Sequence, residues 1–221
     1  ILKWKRKNLL KEKVRYNFID LLRGWAIILM IEPHVFNTFL LPELKQTGWF
    51  GVVTFINGLI APAFLFVSGL VFEVSSGSKL DDMRKFKLPF WKKLWRIISI
   101  ILIGYALHLP YKSLSKIVNK ATPDQLQQFF AVDVLQCIGV GLLVLFALRL
   151  IIRSDKVYHY TLIILTLFVI SISPFFWKIE FANYMHPVFA NYFNRLNGSL
   201  FPLFSWIGFI LIGAIFAKYF L

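Results

Sequence analysis

Four ionisable side chains lie within one strongly apolar stretch, residues 17–40. They are Asp20, Arg23, Glu32 and His34. A charged group inside a bilayer costs about 2.5–3.5 kcal/mol on insertion scales, so four in one membrane segment indicate a catalytic or transport site. On a helix that advances about 100° per residue, Asp20, Arg23 and His34 fall within about 60° of one another, whereas Glu32 points elsewhere.

His34 is the strongest candidate for proton transfer in this stretch. An imidazole exchanges protons near neutral pH and can take one from a hydroxyl or an amine, so His34 is a candidate catalytic base. The alternative is a histidine that only forms hydrogen bonds between helices. Asp20 and Arg23 lie one helical turn apart, and we expect them to neutralise each other as a buried pair or to bind and orient a substrate.

The composition is that of a membrane protein. Of the 221 residues, 58% are hydrophobic and only 16% are charged, and the mean hydropathy is +0.67. The apolar residues occur in runs of about 20, the length that crosses a bilayer as a helix. The single cysteine, Cys137, excludes an intrachain disulfide framework. Because the chain begins with Ile and ends inside an apolar run, we expect it to be part of a longer protein.

We therefore predict an all-α, polytopic transmembrane helical bundle that forms a single domain over residues 1–221. Six spans are predicted, at 17–41, 50–73, 90–109, 133–152, 159–177 and 201–221. In the long connection at 110–132, we expect Thr122 or Asp124 to cap a short helix that begins at Pro123.

The distribution of lysine and arginine predicts the orientation of the bundle. Segments 1–15 and 79–96 each hold seven of these residues, whereas 42–49 holds one and 178–200 holds two. Cytoplasmic connections carry the excess of basic residues, so we predict a cytoplasmic N-terminus. The net charge of +14 is thus assigned to loops at a membrane surface, and no nucleic-acid partner is expected.

This topology separates the polar residues into two groups. The basic group near the cytoplasmic ends of the spans comprises Arg23, Lys92, Lys93 and Arg96, and the group toward the outer face comprises Asn37, Asp133 and Gln136. A substrate with a phosphate-rich head inside and a reactive end within the membrane fits this division, and an acyl-CoA is such a molecule. The simpler alternatives are positive-inside anchoring for the basic group and helix capping for Asp133.

The remaining histidines give no metal-binding pattern. His108 and His186 lie in the outer connections and are expected to be interfacial polar residues. The spacing of His34, His108, His186 and Asp133 does not match a ligand set, so no metal is predicted. Small residues at Ser68–Gly69 and Gly139–Gly141 are expected to let helices approach closely.

Several motifs resemble a known family. The stretch FIDLLRGWAIILMIEPH is similar to the first-helix motif of membrane acyltransferases, and within that superfamily it most resembles bacterial relatives of heparan-alpha-glucosaminide N-acetyltransferase. The stretches APAFLFVSGLVF, DVLQCIG and FPLFSWIGFILIGAIFAK resemble later helices of the family in the expected order. The family usually has Arg where this chain has Cys137.

The resemblance implies an acyl-CoA-dependent membrane acyltransferase in a bacterial inner membrane. The family moves an acyl group, here expected to be acetyl, from cytoplasmic acyl-CoA to an acceptor, commonly a sugar, on the far side. His34 would be the base or a transient acyl carrier, and the basic group would bind the CoA. Expected partners are acyl-CoA, a glycan or other small acceptor, the lipid bilayer and, as one assembly state, a second copy of the chain. The rival functions are a proton-coupled transporter or channel subunit and a non-catalytic membrane subunit.

Overall fold

The computed structural model describes residues 17–111 and 114–219, except for the side chains of Ile19, Arg23, Asn37, Ser78, Leu114 and Val118. The described residues form helices joined by turns, without a strand. The helices are α1 Asn17–Phe39, α2 Gly48–Ser76, α3 Leu80–Arg84, α4 Leu88–Leu107, α5 Leu114–Lys120, α6 Pro123–Phe130, α7 Val134–Ile151, α8 Asp155–Phe176, α9 Pro187–Ala190 and α10 Leu203–Phe216.

Each predicted span coincides with a helix, and the all-α prediction is confirmed for the described ranges. Three of the described helices, α2, α7 and α8, are long and apolar enough to cross a membrane. The apolar segment that contains α10, Leu203–Tyr219, is shorter. Helices α1 and α4 have the length of a span, with 23 and 20 residues, but both carry charged side chains. The number of six spans and the cytoplasmic N-terminus therefore stay predictions.

Local sequence signals determine where two of the helices begin. Thr122 caps α6, its hydroxyl accepting the N–H of Gln125 at 3.3 Å, and Pro123 is the first helical residue, as predicted. Asp133 caps α7 in the same way, and Gln136 returns the bond by accepting the N–H of Asp133 at 3.3 Å. Both are capping boxes, in which two helix-terminal N–H groups are satisfied reciprocally. These caps fix the two sides of the cleft described below.

Helix α10 packs against α2, α8 and α7, and α4 packs along α7. Helix α10 crosses α2 closely, because two glycines leave room for the opposing backbone. A Cβ atom on Gly69 would lie 1.9 Å from the carbonyl oxygen of Ile210, and one on Gly213 would lie 1.9 Å from that of Phe66. The predicted role of the small residues at Gly69 in helix approach is confirmed.

The start of α10 is kinked. Phe204 has extended backbone angles, with ψ 127°, and Ser205 has a positive φ of 72°. The ring of Phe204 stacks on Phe193 at a centroid distance of 5.2 Å and lies 4.5 Å from the ring of Phe176. An L-residue in this left-handed conformation costs roughly 1–2 kcal/mol, so this aromatic contact stabilises a kink that the local sequence disfavours.

Helix α1 packs chiefly on α2 and leaves much of its apolar surface exposed. Its most exposed large side chains include Leu21, Ile28 and Phe39, the last 80% exposed. An apolar helix face of this kind is suited to contact with lipid. The arrangement places α1 at the edge of the bundle.

Candidate functional site

The C-terminal end of α4 brings His108 close to Asp133. His108 follows the last turn of α4, and its Nδ1 lies 3.0 Å from the carbonyl oxygen of Gly104. Since a carbonyl only accepts, Nδ1 carries a proton, and Nε2 is left facing the Oδ2 atom of Asp133 at 3.7 Å. The two side chains are 29% and 35% exposed, so both can be reached from solvent.

Asp133 and Gln136 combine a structural role with a position beside this pair. Oδ1 of Asp133 accepts the N–H of Val134 at 2.7 Å, which leaves Oδ2 directed at His108. Gln136 is fully buried, and its Nε2 has no hydrogen-bond partner among the described residues. Gly104 makes room for it, because a Cβ there would lie 2.7 Å from Cδ of Gln136. The predicted capping role of Asp133 is thus confirmed.

A surface cleft of about 510 Å³ opens at this pair. Its volume lies in the range of small-molecule sites, roughly 300–1,000 Å³. Six of its ten lining residues are polar: His108, Asp124, Gln127, Gln128, Asp133 and Asn197. The others are Ala131, Val132, Gly198 and Leu200. The lining therefore comes from α4, α6 and the segments that precede α7 and α10.

A tyrosine pair connects α4 to the segment after α9. The hydroxyl groups of Tyr105 and Tyr192 lie 3.0 Å apart. Burial, and then the hydrogen bond to Tyr105, raise the pKa of Tyr192 above its ordinary value. Both hydroxyls therefore stay protonated at neutral pH and act as neutral hydrogen-bonding groups.

The other end of α4 carries the predicted donor-binding cations. Lys92 and Arg96 are exposed and lie four residues apart, on one face of the helix. Lys93 turns inward instead, where its Nζ donates to the carbonyl oxygen of Phe72 at 3.0 Å and also contacts the hydroxyl of Ser76. A cation at the C-terminal end of α2 complements the helix dipole. Lys93 therefore has a structural contact that Lys92 and Arg96 lack in the described part of the chain.

Helix α1 carries the predicted catalytic residues. His34 is exposed, and its carbonyl oxygen accepts the hydroxyl of Thr38 at 2.7 Å. Asp20 is also exposed, and its side chain or backbone takes part in at least one interaction. The side chains of Arg23 and Asn37 lie outside the described part of the chain. The cleft at His108 contains no residue of α1, so His34 and the Asp133 group belong to separate places in the described structure.

A comparison with protein families gives a match over nearly the whole chain. The sequence model described as heparan-alpha-glucosaminide N-acetyltransferase, catalytic, matches residues 15–221. The chain belongs to this family. Comparisons with curated proteins and with solved structures gave no match. Membership of the heparan-alpha-glucosaminide N-acetyltransferase catalytic family, together with the apolar helices, indicates a membrane acetyltransferase.

A buried polar contact between α2 and α7 involves residues that the sequence motifs did not single out. Glu73 in α2 is 2% exposed and accepts Nε of Arg149 at 3.0 Å. Tyr158 donates its hydroxyl to the same carboxylate, and NH1 of Arg149 reaches Asp155 at 2.6 Å. The guanidinium also lies over the ring of Tyr158, 4.0 Å from its centroid. The signal was available, because a glutamate inside an apolar span needs a partner.

The described residues contain no cluster of side chains suited to bind a metal ion. Among residues 17–111 and 114–219, no three His, Cys, Asp or Glu side chains are arranged to hold a metal ion. His159, in α8, lies beside Tyr160, with ring centroids 6.4 Å apart. It is not one of the residues that line the cleft.

Proposed function

We propose that this chain is an integral-membrane acyltransferase that moves an acetyl group from cytoplasmic acetyl-CoA to a hydroxyl or amino group of a glycan on the outer face. The observation that carries the proposal is the family match over residues 15–221. It is supported by the separation of two polar regions along α4. That helix has 20 residues, a length of about 30 Å at 1.5 Å per residue, close to the hydrocarbon thickness of a bilayer.

At the basic end, Arg23, Lys92, Lys93 and Arg96 would bind the phosphates of the donor. Exposed Lys92 and Arg96 present their charges together, which suits a ligand carrying several phosphates. A guanidinium binds phosphate oxygens bidentately, so Arg96 would provide more orientation than either lysine. Lys93 would contribute long-range charge while keeping its contact with the end of α2.

In the transfer step, His34 would act as general base. It would take the proton from the acceptor hydroxyl or amine as that oxygen or nitrogen attacks the thioester carbonyl. The C–S bond then breaks and CoA leaves as the thiolate. If His34 serves instead as an acyl carrier, its ring nitrogen makes the first attack and the acceptor the second. Arg23 would contact the phosphates or the carbonyl of the donor while Asp20, on the same face of α1, orients it.

On the acceptor side, Asn37, Asp133 and Gln136 would supply hydrogen bonds to the glycan. Oδ2 of Asp133 is available in the cleft, since only Oδ1 is used by the cap of α7. Gln136 would act through the cap it forms with Asp133, because its side chain is fully buried and is not among the residues that line the cleft. The protein would lie in the inner membrane of a bacterium with its N-terminus in the cytoplasm, as a monomer or a homodimer.

The test is acetyl-CoA binding and hydrolysis by the detergent-purified full-length protein, comparing wild type with His34→Ala. We expect both to bind acetyl-CoA and the variant to release CoA about 10²–10⁴ times more slowly, the usual contribution of a general base. His159→Ala is the matched control, because His159 lies outside the cleft and outside α1. Failure of the wild type to bind any acyl-CoA would contradict the donor assignment and favour a transporter.

A further inference from the structure

We propose that the corner between α3 and α4 binds anionic phospholipids of the membrane leaflet at that end of α4. The corner consists of Lys85, Phe86 and Lys87, which connect the two helices, together with the first two turns of α4. The proposal goes beyond the transfer reaction. It needs only the membrane location that the family match and the apolar helices indicate.

The turn that ends α3 has a phenylalanine at a position that favours glycine. The N–H of Phe86 donates to the carbonyl oxygen of Met83 at 3.0 Å, and the N–H of Lys87 donates to that of Asp82 at 3.1 Å. This is the hydrogen-bond pattern of a Schellman motif, in which the central residue has a positive φ and is usually glycine. Phe86 has a φ of 52°, yet its ring is 62% exposed, so burial in the core does not explain the choice of residue. A strained residue that is also exposed points to a function.

Phe86 and Trp91 form an aromatic surface that the core holds in place. Both rings contact the ring of Phe90, at centroid distances of 4.8 and 5.1 Å. Phe90 is itself buried, and its ring lies 5.3 Å from that of Phe146 in α7. The two outer rings are mostly exposed although the ring between them is anchored. The surface is therefore preformed, and a ligand that binds to it loses little free energy in ordering the protein.

The aromatic surface continues into an exposed apolar side of α4. Four large apolar side chains of this helix fall within about 60° of one another at 100° per residue, and each is more than half exposed. They are Leu88, Trp91, Trp95 and Leu102. Tryptophan near the end of a membrane helix is typical of the boundary between headgroups and acyl chains. Trp91 and Trp95 thus place this boundary at the first two turns of α4, which puts Lys85 and Lys87 at the level of the headgroups.

The cations of this region divide into an inward and an outward group. Segment 79–96 holds seven lysines and arginines against two carboxylates. Arg84 and Lys93 are turned inward, where they donate to carbonyl oxygens at the ends of α7 and α2. Lys85 and Lys87 are exposed next to the aromatic surface. These two ammonium groups are therefore available to a ligand that lies on the corner.

The excess of positive charge selects the headgroup. Lys87 donates to Asp82 at 2.8 Å, and this ion pair replaces the hydrophobic contact that usually accompanies a Schellman motif. Both side chains are more than half exposed, at 57% and 51%, so the ammonium keeps N–H donors for a phosphate oxygen. An anionic headgroup meets a net positive charge here, whereas the choline group of a zwitterionic lipid would add a like charge.

The test is lipid binding to the detergent-purified full-length protein, measured by native mass spectrometry. The probes are phosphatidylglycerol, which carries a net negative charge, and phosphatidylcholine, which does not, with the same acyl chains. We expect phosphatidylglycerol to bind at least about tenfold more tightly, because each lysine near an anionic headgroup contributes a factor of about five. Equal affinities for the two lipids would overturn the proposal.

A charge variant assigns the binding to the corner. Lys85→Gln with Lys87→Gln is expected to weaken phosphatidylglycerol binding about tenfold, less than two full factors because Asp82 partly neutralises Lys87. The matched control is Lys116→Gln with Lys120→Gln, which removes two exposed lysines of α5 and should leave binding unchanged. If the corner variant binds as wild type does, or if the control loses as much affinity, the lipid binds elsewhere and the proposal is wrong.

A second variant tests the exposed ring. Phe86→Asn keeps the turn, because asparagine adopts the left-handed conformation more readily than phenylalanine does, so Tm should not fall. It should weaken the binding of both lipids about fivefold, since an apolar ring rather than a charge is lost. Unchanged lipid binding would show that the ring serves only the contact with Phe90, and would contradict the role proposed for Phe86.

Acetyl-CoA is added as a competitor, because its phosphates share the chemistry of the headgroup. We expect phosphatidylglycerol to stay bound and the Lys85/Lys87 variant to bind acetyl-CoA as wild type does, since Lys92 and Arg96 are intact. Displacement of the lipid by acetyl-CoA would assign the corner to the donor and overturn the lipid site. A wild type that binds phosphatidylglycerol selectively but no acetyl-CoA would support the lipid site and contradict only the proposed transferase.

Discussion

Replacing Arg149 by methionine is expected to destabilise the protein strongly. Arg149 Nε lies 3.0 Å from Oε2 of Glu73, whose side chain is 2% exposed. The variant would leave that carboxylate buried without its hydrogen-bonded cation, and the ring of Tyr158 would lose the guanidinium that lies 4.0 Å from its centroid. Methionine fills a similar volume, so the effect isolates the lost charge and hydrogen bonds from a cavity.

The size of the effect follows from the burial of the pair. Removing one partner of a buried ion pair costs about 3–5 kcal/mol. The second contact of Arg149, with Asp155, adds little, because the Asp155 side chain is 83% exposed and solvent screens it. For a chain of this size about 2–4 °C of Tm corresponds to 1 kcal/mol, so we expect Tm to fall by about 6–20 °C.

The assay is thermal unfolding of the detergent-purified full-length protein, followed by tryptophan fluorescence, to which the seven tryptophans of this chain contribute. Arg153→Met is the matched control, since Arg153 is exposed and its loss should change the free energy of unfolding by less than about 0.5 kcal/mol. The double variant Glu73→Gln with Arg149→Met removes the buried charge while keeping an acceptor for Tyr158. It should recover at least half of the lost stability. If it melts no higher than Arg149→Met alone, or if Arg149→Met melts within about 2 °C of wild type, the buried-charge argument is wrong.

Two further predictions follow from the packing and capping contacts. Gly69→Ala should lower Tm or prevent folding, because its Cβ would lie 1.9 Å from a backbone carbonyl oxygen of α10. Gly58→Ala, in the same helix, is the control: its Cβ meets nothing within 4 Å, so the variant should be neutral or stabilising. Equal Tm values for the two variants would contradict the described crossing. Asp133→Ala should reduce the free energy of unfolding by about 0.5–2 kcal/mol through loss of the helix cap, while Asp133→Ser retains a capping oxygen and should lose less, as measured by chemical denaturation.

Elements that depend on neighbouring residues were predictable from the sequence. Apolar runs of the length of a bilayer located the long helices, because hydrophobic length is a property of consecutive residues. The caps at Thr122 and Asp133 were recognisable for a similar reason, since a capping box links residues only three positions apart. Gly69 was identified as a packing position from its size alone. The family resemblance rests on motifs of the same local kind, and the match over residues 15–221 confirms it.

The candidate site was predictable only in part. The sequence singled out Asp133 and Gln136 but treated His108 as an interfacial residue, because nothing in the local pattern shows that the end of α4 meets the start of α7. The roles of His34, Asp20, Arg23 and the basic group stay predictions. Lys93 illustrates the difficulty: a lysine at a helix start can face solvent or a neighbouring helix, and here it faces the end of α2.

The sequence by itself determined that this is an all-helical membrane acetyltransferase with its polar residues divided between two regions. Tertiary structure alone decided which distant residues meet: Glu73 with Arg149 across 76 positions, and His108 with Asp133 across the connection between α4 and α7. It also decided the kink at Ser205, where aromatic packing outweighs the local preference for a regular helix. The physical reason is the same in each case. Hydrophobic length and helix caps act between near neighbours, whereas a buried ion pair or a cleft exists only where helix crossings bring remote side chains within a few ångströms.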